Sequence, residues 1–412
     1  MIVKNPHQAT PPSDGLWFGK DLSRAEPIPQ AGIDAAVALM QTGRLHRYGE
    51  QGGSVPEPAL LEQAYAAYVG SRYCVALNSC GAAMFIALKS VGVKAGDAVL
   101  TNSFTLSPVP GAIVHAGARP VLVDVTPDLT VDLADLERKL AASGARTFLI
   151  SHMRGHIADL GAVRALCDAH GVDLVEDCAH TMGARWDGRP TGTWGRVGCF
   201  SAQTYKHINS GEGGLLVTDD DDVAAQAILM SGCYMMYDQH LLRPPAAVFE
   251  HWKYLTPNFS MRMSNLAAAL LLPQLALLPE RALAWNRIHD ALAVALGRAA
   301  GVRVVARDPR EEYVASSIQF ALALAPAQVD RFVRECGLRG LYLKWFGRPE
   351  PLAFTSNYSH WHYLQDAPQL PNSMAVMAQL LDLRTPLSLT PDDCALIGRI
   401  VEVAAEIAAS GA

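Results

Sequence analysis

Between Leu60 and Val217, short apolar runs alternate with stretches whose apolar positions recur every three or four residues. The runs Tyr73–Leu77, Ala98–Thr101, Pro120–Asp124, Thr147–Ser151, Val172–Asp177, Val197–Phe200 and Leu215–Val217 predict strands. The periodic stretches Leu60–Tyr68, Ala82–Val91, Ser107–Ala116, Asp132–Ala142 and Leu160–His170 predict helices between them. This alternation implies an α/β architecture: a large, mostly parallel sheet with helices on both faces. In such sheets ligands settle beyond the carboxyl ends of the strands, so the loops there hold the candidate chemistry.

A long helical stretch from about Asn265 to Ala300 leads into a smaller α/β part. Its predicted elements are strands near Ser316–Leu324 and Leu381–Thr385 and helices Ala327–Cys336 and Asp392–Ala409. The expected division is an N-terminal arm over 1–55, a large ligand-binding domain over 56–276 and a small C-terminal domain over 277–412. The arm is rich in Pro, Gly and Gln, with one helical patch near Ile33–Gln41, and is expected to pack on a partner subunit.

Composition narrows the class. At 412 residues, half of them apolar and 18% charged, the chain has room for a large core and the makeup of a globular enzyme. A net charge of −6 offers no basic footprint for nucleic acid or an anionic membrane. The start, Met1-Ile-Val-Lys-Asn-Pro6, lacks the basic-then-apolar form of a signal peptide. The most apolar run, Leu266–Leu272, is expected to stop at Pro273, too short to span a bilayer. The eight cysteines show no CxxC pairing, and Cys74, Cys178 and Cys199 fall in apolar segments, as reduced core residues do. These features predict a cytoplasmic protein with no nucleic-acid or membrane partner.

Four loops at strand ends carry candidate chemistry. Lys206 lies between two predicted strands and is followed by Gly211, Gly213 and Gly214, where backbone can approach another molecule closely. A lysine desolvated near other cations loses proton affinity and can form a Schiff base with a carbonyl, such as the aldehyde of pyridoxal 5'-phosphate. Ser79-Cys80-Gly81 opens a helix whose free N–H groups favour a phosphate. Phe104, just past a strand, has an aromatic face that could stack on a pyridine ring, or simply fill the core. Asp177 ends an apolar strand, and a buried carboxylate needs a cation; a protonated pyridine nitrogen is one. His180 stands three residues on, and Ser201 precedes Lys206 as a further phosphate ligand.

The motifs together resemble the DegT/StrS family of fold type I, pyridoxal-phosphate-dependent aminotransferases. The matches run in order: Gly96-Asp97-x-Val99, Ser103-Phe-Thr105, Gly117-Ala-Arg-Pro-Val-Leu-Val-Asp124, Glu176-Asp-Cys-Ala-His180, Gly195-x-x-Gly-x-Phe-Ser201, Lys206 and Gly211-Glu-Gly-Gly214. They continue through Arg262-Met-Ser264 and Ala267-Ala268 to Gln274-Leu275. The resemblance covers residues 27–290 well and the C-terminal part loosely. It implies a fold type I enzyme moving an amino group from an amino-acid donor, Glu or Gln, to a ketosugar, a cyclitol or another secondary-metabolic ketone. Lys206 would be the Schiff-base lysine and proton shuttle, Asp177 the partner of the pyridine nitrogen, and Phe104 the stacking ring. His180 would take a position usually held by Gln or His. Ser201 with Ser79, Cys80 and Gly81 would hold the phosphate. Relatives also take a phosphate contact from an Asn of the neighbouring subunit, here Asn258, which implies a homodimer.

Departures from the family pattern bear on substrate. Gly81 stands where a threonine or serine is usual, Arg154 where a tyrosine is usual, and Arg384 where arginine is not usual. Guanidinium forks suit carboxylates, so Arg384, with Arg154, is a candidate for a substrate carboxylate against the simpler reading of a structural arginine. His152 and His156 lack the HExxH glutamate, and no metal is expected. His360-Trp-His362 reads as a loop over the cleft. Two other readings stay open: a sugar dehydratase, whose relatives replace the lysine by histidine (His207 adjoins it here), and a non-catalytic regulator on the same scaffold.

Overall fold

The computed structural model describes residues 12, 14–48, 55–351, 356–364 and 368–410. Helices α1 (Gln30–Thr42) and α2 (Glu57–Val69) precede a run of alternating elements. These are β1 (Tyr73–Leu77), α3 (Cys80–Ser90), β2 (Ala98–Asn102), α4 (Pro108–His115), β3 (Arg119–Val123), α5 (Leu133–Ala142), β4 (Thr147–Ser151), α6 (Leu160–His170) and β5 (Asp173–Asp177). The short pair β6 (Arg185–Trp186) and β7 (Arg189–Pro190) leads to β8 (Val197–Ser201), β9 (Gly214–Thr218), α7 (Asp221–Ser231) and α8 (Ala246–Trp252). Seven strands form one sheet in the order β1-β9-β8-β5-β4-β2-β3. Those from β8 to β3 run parallel, and β9 is antiparallel to both its neighbours.

Side chains alternate across this sheet with the strand period of two. Cys74, Ala76, Leu100, Phe148, Ile150 and Leu174 join an apolar layer with residues of α2, α5 and α6. Val75, Leu77, Val99, Leu149 and Val175 join the opposite layer with residues of α3, α4 and α7. Both faces are covered, so the strands read as near-continuous apolar runs. The carboxyl ends of β1, β2, β4, β5 and β8 share one edge with the amino end of β9, where Gly214 pairs with both Leu77 and Ser201.

The spine of the molecule is α9 (Asn265–Leu296), the long helical stretch expected from about Asn265, which runs on through Pro273 and Pro279. A proline removes one helix hydrogen bond, but packing along both domains outweighs that local loss. Leu271, Leu275, Leu278 and Trp285 lie in the large-domain layer, and Leu292 and Leu296 lie in the second core. By length and composition this one helix among the described residues could cross a membrane; here it packs against α1 and α2. Position 276, the expected division, falls inside it, and core membership changes between Trp285 and Leu292.

Beyond α9 come β10 (Val302–Val304), β11 (Glu311–Glu312), β12 (Ser317–Leu322), α10 (Pro326–Leu338), β13 (Lys344–Trp345), α11 (Pro371–Gln379), β14 (Leu380–Arg384) and α12 (Pro391–Ala409). Four of the strands form an antiparallel sheet in the order β10-β12-β14-β13. The described part of the expected arm packs on its own chain. Phe18 enters the small-domain core and its N–H donates to the Arg339 carbonyl at 2.8 Å. Residues 14–29 run without helix or strand, and their few apolar residues reach this core.

The end of that stretch is fastened by a buried ion pair. Arg47 Nη1 and Nη2 donate to the two carboxylate oxygens of Glu62 at 2.7 and 2.6 Å. Ala76 N–H donates to Glu62 Oε1 at 2.7 Å, and the His240 ring bridges Glu62 and the Tyr48 hydroxyl at 3.1 and 2.7 Å. Burial pushes the Glu62 carboxyl up, but Arg47 and His240 outweigh it and hold it down at about 2, against an ordinary 4.5. A depressed carboxyl contributes stability that is complete above its unfolded value and is lost as pH falls through the folded one. Glu62→Gln leaves Arg47 buried without its counter-charge and should lower unfolding free energy at pH 7 by about 3–5 kcal/mol. Urea unfolding from pH 7 to pH 3 checks this. The wild-type loss of stability below pH 4.5 should be shallower in the variant, and a neutral effect would contradict the account.

Candidate active site

Asp177 closes β5 directly beside Ser151, the last residue of β4. Ser151 Oγ donates to Asp177 Oδ2 at 2.7 Å, and Ala179 N–H donates to Oδ1 at 3.1 Å. Behind them, Thr105 Oγ1 donates to Ser151 Oγ at 2.8 Å, and the Asn102 amide bonds both backbone groups of Ser151. The carboxylate is thus fixed and nearly inaccessible, with no cation in ion-pair contact among the described residues. Such a group suits a cationic ligand. Ser151 was not among the expected site residues, although a polar residue ending the run Thr147–Ser151 was a usable signal.

Lys206 sits half-buried on the loop from β8 to β9. Gln274 of α9 clamps that loop: its amide donates to the Asn209 carbonyl at 2.7 Å and its Oε1 accepts the Asn209 N–H at 3.1 Å. Lys206 Nζ lies 2.8 Å from His180 Nε2. Burial first, then the charge of Arg154, brings the Lys206 ammonium from 10.5 to about 8, while Asp177 pulls the other way. Burial and then Lys206 hold His180 well below the ordinary imidazole range, so it is neutral at pH 7. The neighbouring His207 is buried edge-on to Trp285, its ring centroid 5.2 Å away, so the group presented to His180 is the amine.

Ser79 caps α3, its hydroxyl accepting the Ala82 N–H at 3.0 Å. Gly214 passes so close to this turn that a Cβ there would stand 2.3 Å from the Ser79 carbonyl, which explains a glycine. A Cβ on Gly81 would come no nearer than 3.8 Å to its surroundings, so no crowding enforces glycine there. Cys80 Sγ lies 3.9 Å from Asp177 Oδ1, and burial, then that carboxylate, keep it a thiol. Ser201 is buried at the end of β8, its hydroxyl accepting the Gln203 N–H at 3.3 Å. Phe104 is enclosed edge-on against Phe346, centroids 5.1 Å apart, in a cluster with Tyr358 and Trp361. The segment expected as a loop over the cleft contributes Trp361 to the apolar cluster that holds Phe104.

The small domain closes the other side. Lys206, Tyr205, Trp285, Glu26 and Arg384 border one cleft. Arg384 lies 4.2 Å over the Tyr205 ring and makes one long bond, 3.4 Å, to the Ser23 carbonyl. Arg154 occupies a left-handed turn, φ 56°, and pairs with Asp382 at 2.7 Å. Lys344, which the sequence reading passed over in its two-residue strand, is half-buried near this group. Asn258 is exposed and bonds Ser260, so within one chain it does not join the site. His152 bonds Glu176 and His156 bonds Gln319, each in a separate pairing.

The fixed carboxylate, the low-affinity amine and the tight turn at α3 fit pyridoxal 5'-phosphate by their chemistry. A family model for DegT/DnrJ/EryC1/StrS aminotransferases matches residues 33–402. The spore coat polysaccharide biosynthesis protein SpsC of Bacillus subtilis is 35% identical over 291 residues, covering 70% of this chain and 67% of its own. A putative L-glutamine:3-amino-2,3-dideoxy-scyllo-inosose aminotransferase of Micromonospora echinospora is 30% identical over 308 residues, covering 71% and 69%. The crystal structure of the aminotransferase TlmJ from Streptoalloteichus hindustanus superposes with a TM-score of 0.80 at 22% identity, covering 93% of this chain and 98% of that one. The chain belongs to the DegT/DnrJ/EryC1/StrS aminotransferase family, with the fold type I architecture of pyridoxal-phosphate enzymes.

Proposed function

We propose that this enzyme moves the amino group of glutamate or glutamine to the keto carbon of a ketosugar or cyclitol, acting as a cytoplasmic homodimer. The observation that carries this reading is Lys206, half-buried and close to giving up its proton, beside neutral His180 and the fixed carboxylate of Asp177. The acceptor class follows from relatives such as the scyllo-inosose aminotransferase.

Pyridoxal phosphate, when bound, supplies an aldehyde that captures the amino nitrogen and a ring that withdraws electrons. Lys206 Nζ takes the proton from the substrate carbon bearing nitrogen and delivers it across the site, as general base and then acid. His180, neutral and 2.8 Å away, can accept a hydrogen bond from that amine and steady it between transfers. Asp177, oriented by Ser151 and Ala179, would pair with the protonated ring nitrogen. Ser79, Cys80, Gly81 and Ser201 would hold the phosphate, and Phe104 would supply an aromatic wall beside the ring. Arg384, with no carboxylate bonded to it among the described residues, takes the donor's carboxylate; Arg154, already paired with Asp382, orients that region. Asn258 completes the partner's phosphate site; it lies on a surface stretch that also exposes Met235, Tyr254 and Leu255, the apolar cover expected of a subunit contact.

Labelled nitrogen from 15N-glutamate or α-amino-labelled 15N-glutamine should appear in a ketosugar or cyclitol product, and Lys206→Ala should abolish it. Labelled product from the variant would reject the assignment. The rate at which apoprotein takes up pyridoxal phosphate should climb with pH through about 8 and then level off, because neutral amine is the reactive form. A rate still rising toward 10.5 would contradict the desolvated site. Arg384→Leu should raise the donor KM by about 10–100-fold, the loss of a charge-assisted bond, with the cofactor still bound. An unchanged KM would make Arg384 structural.

A further inference from the structure

Strand β14 alternates. Leu381 and Leu383 enter the small-domain core with Ile318, Phe320 and Trp345, so the residues between them share the opposite face. That face carries Asp382 and Arg384, with Lys344 directly across the ladder from Asp382. Arg154 occupies Asp382 Oδ2 at 2.7 Å, and Gln319 Nε2 donates to Oδ1 at 2.8 Å. Both oxygens of the local carboxylate are therefore engaged. Lys344 and Arg384 flank it with no ion-pair partner among the described residues. Glu26, at the rim of the same cleft, accepts the Leu387 N–H at 2.7 Å and does not pair with Arg384.

Lys344 is tied to the site rather than to open solvent. Its Nζ donates to Ser356 Oγ at 2.6 Å and lies 4.7 Å over the ring of Phe346, which meets Phe104. Burial first, then repulsion from Arg154, lowers its ammonium to about 8. Arg154, Lys344 and Arg384 share the one carboxylate of Asp382 on this face, and an anionic ligand would offset the excess positive charge. In an antiparallel ladder Lys344 and Arg384 are diagonal neighbours, roughly 7–8 Å apart at Cα. Long side chains from such positions can grip the two ends of one small diacid.

We propose that Lys344 and Arg384 form a two-point subsite for a dicarboxylate, which makes glutamate, rather than glutamine, the preferred amino donor. Arg384 takes one carboxylate and Lys344 the other. The specificity part rests on the aminotransferase reading; the binding part can be tested without turnover. Calorimetric titration of the holoenzyme with glutarate and with glutaramate compares two unreactive ligands of similar shape that differ in one charge. The wild type should favour glutarate. Lys344→Met should weaken glutarate about tenfold, the scale of one charged hydrogen bond, while sparing glutaramate. Lys344→Arg should keep the preference, which separates charge recognition from a folding defect. In turnover, the ratio of kcat/KM for glutamate over glutamine should fall by a similar factor in Lys344→Met. Equal wild-type affinities, or a loss shared by both ligands, would overturn the subsite. Turnover with neither donor while glutarate still binds selectively would count against the transamination reading and leave the subsite standing.

Discussion

The site depends on an amine kept where water cannot fully solvate its charge. Lys206 would hold its proton firmly on an open surface; in the fold, burial and the nearby Arg154 bring that affinity within reach of neutral pH. The same surroundings keep His180 neutral, so the pair at 2.8 Å is not two cations forced together. Buried charge is tolerated only where partners are fixed. Asp177 meets that condition through Ser151 and Ala179, which hold its oxygens without neutralising them. An electron-withdrawing cofactor needs such a carboxylate, and an amine donor needs such a lysine.

This arrangement is assembled from distant parts. Parallel strands bring Ser151 and Asp177 to one edge, while the antiparallel β9 returns Gly214 to the same edge against Ser79. The long helix α9 reaches across both cores and fixes the Lys206 loop through Gln274. Buried in the large domain, Arg47, Glu62 and His240 fasten the N-terminal stretch to the sheet. The small domain then adds Arg384 and Lys344 on one face of β14 and β13.

Much of the fold was legible because both faces of the large sheet are covered, so its strands appear as unbroken apolar runs with polar residues at their ends. Lys206, Asp177 and His180 stood out for the same reason: each is a polar group just past such a run, and the structure brings them together. Local rules stop short where tertiary packing decides. The helix expected from Asn265 does run through Pro273, but which cores it joins, and that the arm around Phe18 docks in the small-domain core, depend on distant residues. Phe104 has no open face in this packing, since Phe346 and Tyr358 come from sequence far downstream. Lys344 escaped notice because a two-residue strand has no period to read, and the Arg47–His240 contact joins positions 193 apart.

The most direct test of the central claim is the absorption spectrum of the purified protein with pyridoxal phosphate, recorded as single amino donors are added. The account predicts a lysine-bound cofactor band that gives way to the amine form of the cofactor with glutamate or glutamine and returns when a keto acceptor is supplied. A cofactor band that no amino donor changes would contradict it, as would a protein that binds no cofactor at all.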